Sequence, residues 1–182
     1  MYVNRYHLTT PTEVITTELN IPKNYQEECI QEAYKIGDKQ KHQTNVKAIM
    51  SSYTVWDETD VYNPLLDKII STIDKFLPAE HLHTGLKYIL SNAWFAIYKE
   101  GHYTVPHYHL PSNISFVYYL KANKTSSPLI FDECNFSITP YDDLLVVFPS
   151  NLIHSVKPQV GKDNRICIAG NLKLEPLEQF NK

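Results

Sequence analysis

From residue 85 to residue 174 the chain is written in short extended runs separated by brief turns, and this patterning restricts the folds open to it. The runs are LKYILSNAWFAIY, NISFVYYLK, PLIFDE, NFSIT, LLVVF and RICIAGNLKL. Their β-branched and aromatic residues suit a pleated, packed surface. Ser91-Asn92 interrupts the first run. LLVVF, at 144–148, is apolar throughout, as a strand covered on both faces would be. Short strands joined by turns, with no helical pattern between them, point to a β-sandwich or jelly roll. They point away from a parallel sheet with crossover helices.

The preceding residues differ in character. A strand-like run at 13–19 follows Pro11, and its Thr16 and Thr17 suit a half-exposed edge. Pro22 opens a helical pattern to about Ile36, with Tyr25, Cys29, Ile30 and Ala33 at helical spacing and Gly37 as a stop. Asn63-Pro64 opens a second helix. Its Leu65, Leu66, Ile69, Ile70, Ile73, Phe76 and Leu77 form a broad apolar face, and Pro78 ends it. Both helices are expected to cover one face of a sheet. Residues 39–52, KQKHQTNVKAIMSS, are mostly polar and read as a loop.

A chain of 182 residues without repeats or a Gly/Ser-rich linker is expected to form one domain, 1–85 supporting and 86–174 making the β core. A net charge of -3 gives no basic surface for nucleic acid or an anionic membrane. Cys29, Cys134 and Cys167 are widely spaced and form no CxxC pair, so neither a zinc ribbon nor a disulfide framework is expected. The first residues lack the apolar run of a signal peptide, and no stretch approaches a membrane span. A reducing, cytoplasmic setting is the expectation.

The candidate chemistry lies in histidines. His107 and His109 close the stretch WFAIYKEGHYTVPHYH. In an extended chain residues i and i+2 point to one side, so both imidazoles reach one ion without bending the backbone. His154 follows Phe148-Pro149-Ser150, where the apolar strand emerges into a turn. Three histidines in this order suit zinc or non-haem iron and do not separate the two. Imidazole binds metal only when neutral, so affinity should fall below about pH 6.5. His81 and His83 repeat the HxH spacing but follow a helix end, where histidine interacts with the last carbonyls. His7, His42 and His102 read as surface-loop residues. In the last run Arg165, Cys167, Ala169 and Asn171 share one face, small and with a polar residue at each end, as in a strand lining a cavity. Ile166, Ile168 and Leu172 share the other face, which is ordinary core.

Tyr98-x-x-Gly101-x-Tyr103-x-x-x-His107-x-His109 resembles the tyrosine, glycine and HxD stretch of the prolyl-hydroxylase-like 2-oxoglutarate- and iron(II)-dependent oxygenases. ISFVYYLK, PLIFDE and DLLVVFPSNLIHSV are similar, in the same order, to the strands that follow in that superfamily. Arg165, eleven residues beyond His154, stands where the superfamily has Lys or Arg. The ordered set WFAIY, PHYH, SFVYYL, FPSNLIHSV and RICIAGNL resembles more narrowly a small subgroup of such proteins from phages and marine bacteria, which would place the chain in a host cytoplasm. The resemblance covers about 88–174.

It implies a double-stranded β-helix, a cupin-like jelly roll, with the N-terminal helices packed outside. It implies iron(II) as cofactor, held by His107 and His154, and 2-oxoglutarate as co-substrate. Arg165 would hold the distal carboxylate, a pairing suited to guanidinium. Tyr98 would add a hydroxyl at the same end, and Asn171 is a further pocket candidate. The chain departs from the superfamily at His109, where an Asp is usual. Neutral imidazole there leaves the site one charge more positive, and His109 either ligates or turns away. Asp132 and Asp142 are carboxylates placed elsewhere. The implied reaction decarboxylates 2-oxoglutarate to succinate and carbon dioxide and hydroxylates a C–H bond, with dioxygen and a prime substrate as partners. Tyr103, Tyr108 and Phe116 are candidates for the mouth. Two other readings stand beside it. One is a three-histidine cupin-type dioxygenase that needs neither 2-oxoglutarate nor Arg165. The other is a non-catalytic jelly-roll binding or virion-associated protein.

Overall fold

The computed structural model describes residues 12–37, 44–76 and 85–176. In chain order the elements are β1 (Ile15–Glu18), α1 (Lys23–Gly37), β2 (Val46–Lys47), β3 (Ile49–Met50), α2 (Asn63–Phe76), β4 (Leu86–Tyr98), β5 (Tyr103–His107) and β6 (Ile114–Lys121). They continue with β7 (Leu129–Phe131), β8 (Phe136–Ile138), β9 (Leu144–Pro149), β10 (His154–Val156) and β11 (Arg165–Pro176). The strands form two sheets, ordered β1-β9-β6-β11-β4-β3 and β2-β5-β10-β7-β8. Every ladder between them is antiparallel. This is the expected jelly roll.

Period-two alternation divides the larger sheet between two cores. Phe95 and Ile97 of β4, Ile166 and Ile168 of β11, and Tyr118 of β6 point outward and pack beneath Cys29, Ala33, Leu65, Ile69 and Ile73 of the helices. Trp94, Ala96 and Tyr98, with Cys167, Val117 and Tyr119, point inward against Leu129, Phe131 and Val156 of the smaller sheet. LLVVF is therefore covered on both faces, as its unbroken apolarity suggests. Each fully buried Leu or Ile of α2 contributes about 1.5–3 kcal/mol of apolar transfer. Tyr62, just before α2, ties the helices together by donating its hydroxyl to the Cys29 carbonyl at 2.8 Å.

Two sequence expectations need correcting. Part of the segment read as a loop is β2 and β3, whose Val46 and Met50 are buried and which edge the smaller and larger sheets respectively. Strands of two residues leave too few alternations to detect. The interruption at Ser91-Asn92 is not a break either. β4 runs through it, and Ser91 is an extra residue, since Asn171 pairs with Asn92 while Leu172 pairs with Leu90. The bulge is held by Ser91 Oγ donating to the Asn171 carbonyl at 3.0 Å. The three cysteines are free, Cys29 and Cys167 buried and Cys134 exposed. No helix among the described residues is long and apolar enough to cross a membrane. His7, His42, His81 and His83, with Leu77 and Pro78, lie outside the described residues.

Candidate metal centre and co-substrate pocket

β5 ends on His107 and β10 begins on His154, and the ladder sets these two residues opposite each other. His109 follows in the turn beyond β5. Its backbone N–H donates to the Ser150 carbonyl at 2.8 Å, and its own carbonyl accepts from Ser112 N–H at 2.9 Å. The HxH pair is thus fixed against the loop that leads to His154. The ring centroids lie 4.8 Å apart for His107–His109, 4.4 Å for His107–His154 and 5.0 Å for His109–His154. One ring nitrogen from each lies within 4.8 Å of the others. Among the described residues, no carboxylate or thiol joins this cluster.

His107 Nδ1 is 2.9 Å from the Val105 carbonyl, and His154 Nδ1 is 2.9 Å from the Leu152 carbonyl. A carbonyl only accepts, so each Nδ1 carries the proton and each Nε2 keeps its lone pair for a ligand. Burial lowers all three rings below the usual histidine range. It takes His109 down to about 3, the neighbouring His154 and His107 adding to the shift, and His154 to about 4, with His107 adding to it. His107 falls too, partly offset by its bond to Val105. Three neutral imidazoles therefore face one point at neutral pH.

Arg165 opens β11, with 1% of its surface exposed. Its Nη2 donates to Tyr119 Oη at 3.2 Å, and its guanidinium lies over the Tyr98 and Tyr119 rings at 4.5 and 5.0 Å. Nε and Nη1 have no hydrogen-bond partner among the described residues. Burial pushes the Tyr98 phenol up to about 12 despite the pull of Arg165, and raises Tyr119 and Cys167 as well. None of these neighbours is an anion at neutral pH, so the buried cation lacks a counter-ion among the described residues.

An inner cavity between the sheets joins the two features: His107, His109, His154 and Arg165 all line it. Cys167 and Ala169 lie beside Arg165 in its wall, as the small-residue face of β11 predicts. An outer cavity of about 290 Å³ shares Trp94, His107 and His109 with the inner one and opens past Tyr53, Tyr108 and Leu110.

The structure thus brings together His107, His109, His154, Arg165 and Tyr98. Tyr98 does so with its hydroxyl already engaged by Thr104 Oγ1 at 2.6 Å. Asn171 lines the outer cavity, its amide bonded to Ser115 and Asn92. Of the mouth candidates, Tyr108 is on the outer cavity and exposed, Phe116 is buried beside the inner cavity, and Tyr103 is exposed and lines neither. Asp132 accepts from Ser155 Oγ and Asp142 from Ala122 N–H, both apart from the cluster. His102 takes part in the β4–β5 turn, accepting from Lys99 N–H at 3.2 Å. Sequence reasoning missed Tyr119, Thr104 and Trp94. Tyr119 lay in a run of aromatics where only the β6–β11 register tells which one meets Arg165.

No family model matches the chain, and no curated protein matches it in sequence. Solved structures do match in fold. The viral collagen prolyl hydroxylase vCPH from Paramecium bursaria Chlorella virus-1, in complex with 2-oxoglutarate, aligns at TM-score 0.65 and 19% identity over 87% of this chain and 94% of that one. A prolyl-4-hydroxylase from Pseudomonas putida aligns at TM-score 0.61 and 16% identity, covering 88% and 91%. HygX from Streptomyces hygroscopicus, with nickel and 2-oxoglutarate bound, aligns at TM-score 0.65 and 8% identity, covering 89% and 83%. With its two antiparallel sheets and external helices, the chain has the jelly-roll fold of the 2-oxoglutarate- and iron(II)-dependent oxygenases.

Proposed function

We propose that the protein is a 2-oxoglutarate- and iron(II)-dependent oxygenase that hydroxylates a C–H bond. The observation that carries this reading is the buried guanidinium of Arg165, with two nitrogens unpartnered among the described residues, in the wall of the same cavity as three neutral histidines. Leaving a buried donor unpaired is costly, and a buried charge more so. Such an arrangement is reasonable when a ligand supplies the missing carboxylate. A three-histidine dioxygenase that does not use 2-oxoglutarate would have no use for Arg165.

The residues fit both groups. His107, His109 and His154 present nitrogen donors of the kind that holds iron, with two tautomers fixed by backbone carbonyls. Three protein donors leave positions open for exogenous ligands. Bound iron(II) would supply the activation of dioxygen that couples 2-oxoglutarate decarboxylation to oxidation of the prime substrate. Arg165 would bind the distal carboxylate of 2-oxoglutarate through its unsatisfied guanidinium N–H groups, while Tyr119 and the two ring faces hold its orientation. Thr104 fixes Tyr98 beneath it. The inner cavity is narrow, about 40 Å³, so side chains of its wall must shift as the dicarboxylate enters. Phe148, stacked edge-on to His154 at 4.8 Å, keeps bulk water from that side. The narrower likeness to phage and marine-bacterial proteins rests on the sequence motifs.

The test is anaerobic reconstitution with iron(II) and titration with 2-oxoglutarate, followed by exposure to oxygen and measurement of succinate. Saturable 2-oxoglutarate binding that requires the metal, and succinate formation on adding oxygen, are expected. Metal binding without 2-oxoglutarate binding would favour the dioxygenase reading. Binding of neither would leave a non-catalytic jelly roll.

A further inference from the structure

The charge of the site carries a consequence for its substrate, resting on the function proposed above. Two positive charges from iron(II) and one from Arg165 meet two negative charges from 2-oxoglutarate. His107, His109 and His154 add none, because an imidazole that gives its lone pair to a metal is neutral. Tyr98, Tyr119 and Cys167 also stay neutral, so one positive charge is left uncompensated in the loaded site. Asp132, a carboxylate whose field reaches His107 and His154, is exposed and bonded to Ser155, so solvent screens it. The outer cavity beside His107 and His109 offers no compensation. Among the described residues its wall contains aromatic rings, the amides of Asn45, Asn92 and Asn171, and apolar residues, but no Asp, Glu, Lys or Arg.

We propose that the loaded site takes up one further monoanionic group next to His109, and that the outer cavity receives the uncharged body to which such a group is attached. A charge held in a partly dry cavity attracts an opposite charge more strongly than it would in water. The residue that creates the excess is His109: a carboxylate in its place would neutralise the site. The body is matched by Trp94, whose ring stands edge-on to Tyr53 at 5.2 Å and packs beside His109 at 5.7 Å. Asn92 accepts from Asn171 through its side-chain oxygen and keeps its amide N–H groups for a neutral acceptor. The anion belongs either to the substrate or to a small free ion, and the two differ in whether a body adds affinity.

The experiment uses the protein loaded with cobalt(II) and saturating 2-oxoglutarate, with retention of 2-oxoglutarate checked by dialysis. Cobalt absorption is followed during titration with azide, 3-phenylpropanoate and neutral 3-phenylpropanamide. Both anions are expected to alter the spectrum and the amide is not. His109→Asp should weaken both anions at least tenfold. A 3-phenylpropanoate affinity tenfold or more above that of azide assigns the charge to the substrate. Equal affinities assign it to a free anion and overturn the seating of a body in the outer cavity. The proposal is overturned if neither anion binds, if the amide binds as well as the carboxylate, or if His109→Asp leaves the anion affinities unchanged. If that variant does not fold, the carboxylate–amide comparison on the parent protein decides. Failure to hold cobalt or 2-oxoglutarate at all would instead remove the proposed function itself, and this inference with it.

Discussion

His107 and His154 face each other as register partners across the antiparallel β5–β10 ladder, with ring centroids 4.4 Å apart. The sheet itself therefore sets the spacing of two donors that are far apart in sequence. A site built on strands is held more tightly than one built on loops. Replacing His154 with Ala should weaken metal binding by more than about a hundredfold, since even outer-shell partners are worth 10–100-fold. Calorimetric titration with cobalt(II) checks this. An unchanged affinity would remove His154 from the ligand set.

The neutral state of the cluster predicts an acid-sensitive fold. In the unfolded chain these imidazoles titrate near pH 6.5. In the fold His154 is lowered to about 4 and His109 to about 3, so the unfolded state binds protons first as pH falls. Their contribution is fully present above about pH 6.5 and is lost as pH falls toward 4. Urea midpoints of the metal-free protein should fall between pH 7 and pH 5, and His154→Leu should flatten that slope. Proton competition for metal should likewise begin below the pH of about 6.5 that free imidazole suggests.

Much of this was legible in the chain because alternation is a strong signal in long strands. The two faces of β11 separate as read, Ile166 and Ile168 outward and Arg165 and Cys167 toward the cavity. The HxH pair was legible for the same reason. What stayed hidden depends on register between strands. Tyr119 pairs with Cys167 beside Arg165, and Ser91 is a bulge, only because of how β6, β4 and β11 slide against one another. Thr104 looked like a strand residue of no special note until β4 and β5 placed it on the Tyr98 hydroxyl.

The same crowding makes Gly170 a sensitive position. A Cβ there would stand 2.6 Å from Phe116 Cζ and 2.7 Å from the Asn92 carbonyl oxygen. Phe116 is buried and the carbonyl is backbone beside the bulge, so neither gives way easily. Gly170→Ala should cost about 1–3 kcal/mol by overpacking. Chemical denaturation measures it, and a loss below 0.5 kcal/mol, roughly the size of an ordinary surface change, would show that the β4–β11 pair yields there.

Arg165 should separate stability from binding. A charge-assisted bidentate pair contributes on the order of 1.5–3 kcal/mol, so Arg165→Ala should weaken 2-oxoglutarate binding by roughly ten- to a hundredfold and spare metal binding. Arg165→Lys should recover part of the loss, because it keeps the charge without the fork. Arg165→Met fills similar volume without a cation. The parent guanidinium is buried with two unpartnered nitrogens, so removing it relieves a penalty that only the ligand otherwise offsets. The Met variant should therefore be more stable than the parent without ligand, by on the order of 1 kcal/mol, and should bind 2-oxoglutarate no better than the Ala variant. Denaturation with and without 2-oxoglutarate, metal present, reads both effects. A Met variant that is less stable than the parent in the absence of ligand would mean that Arg165 is already satisfied by its two tyrosines, and that the pocket was not built around a missing carboxylate.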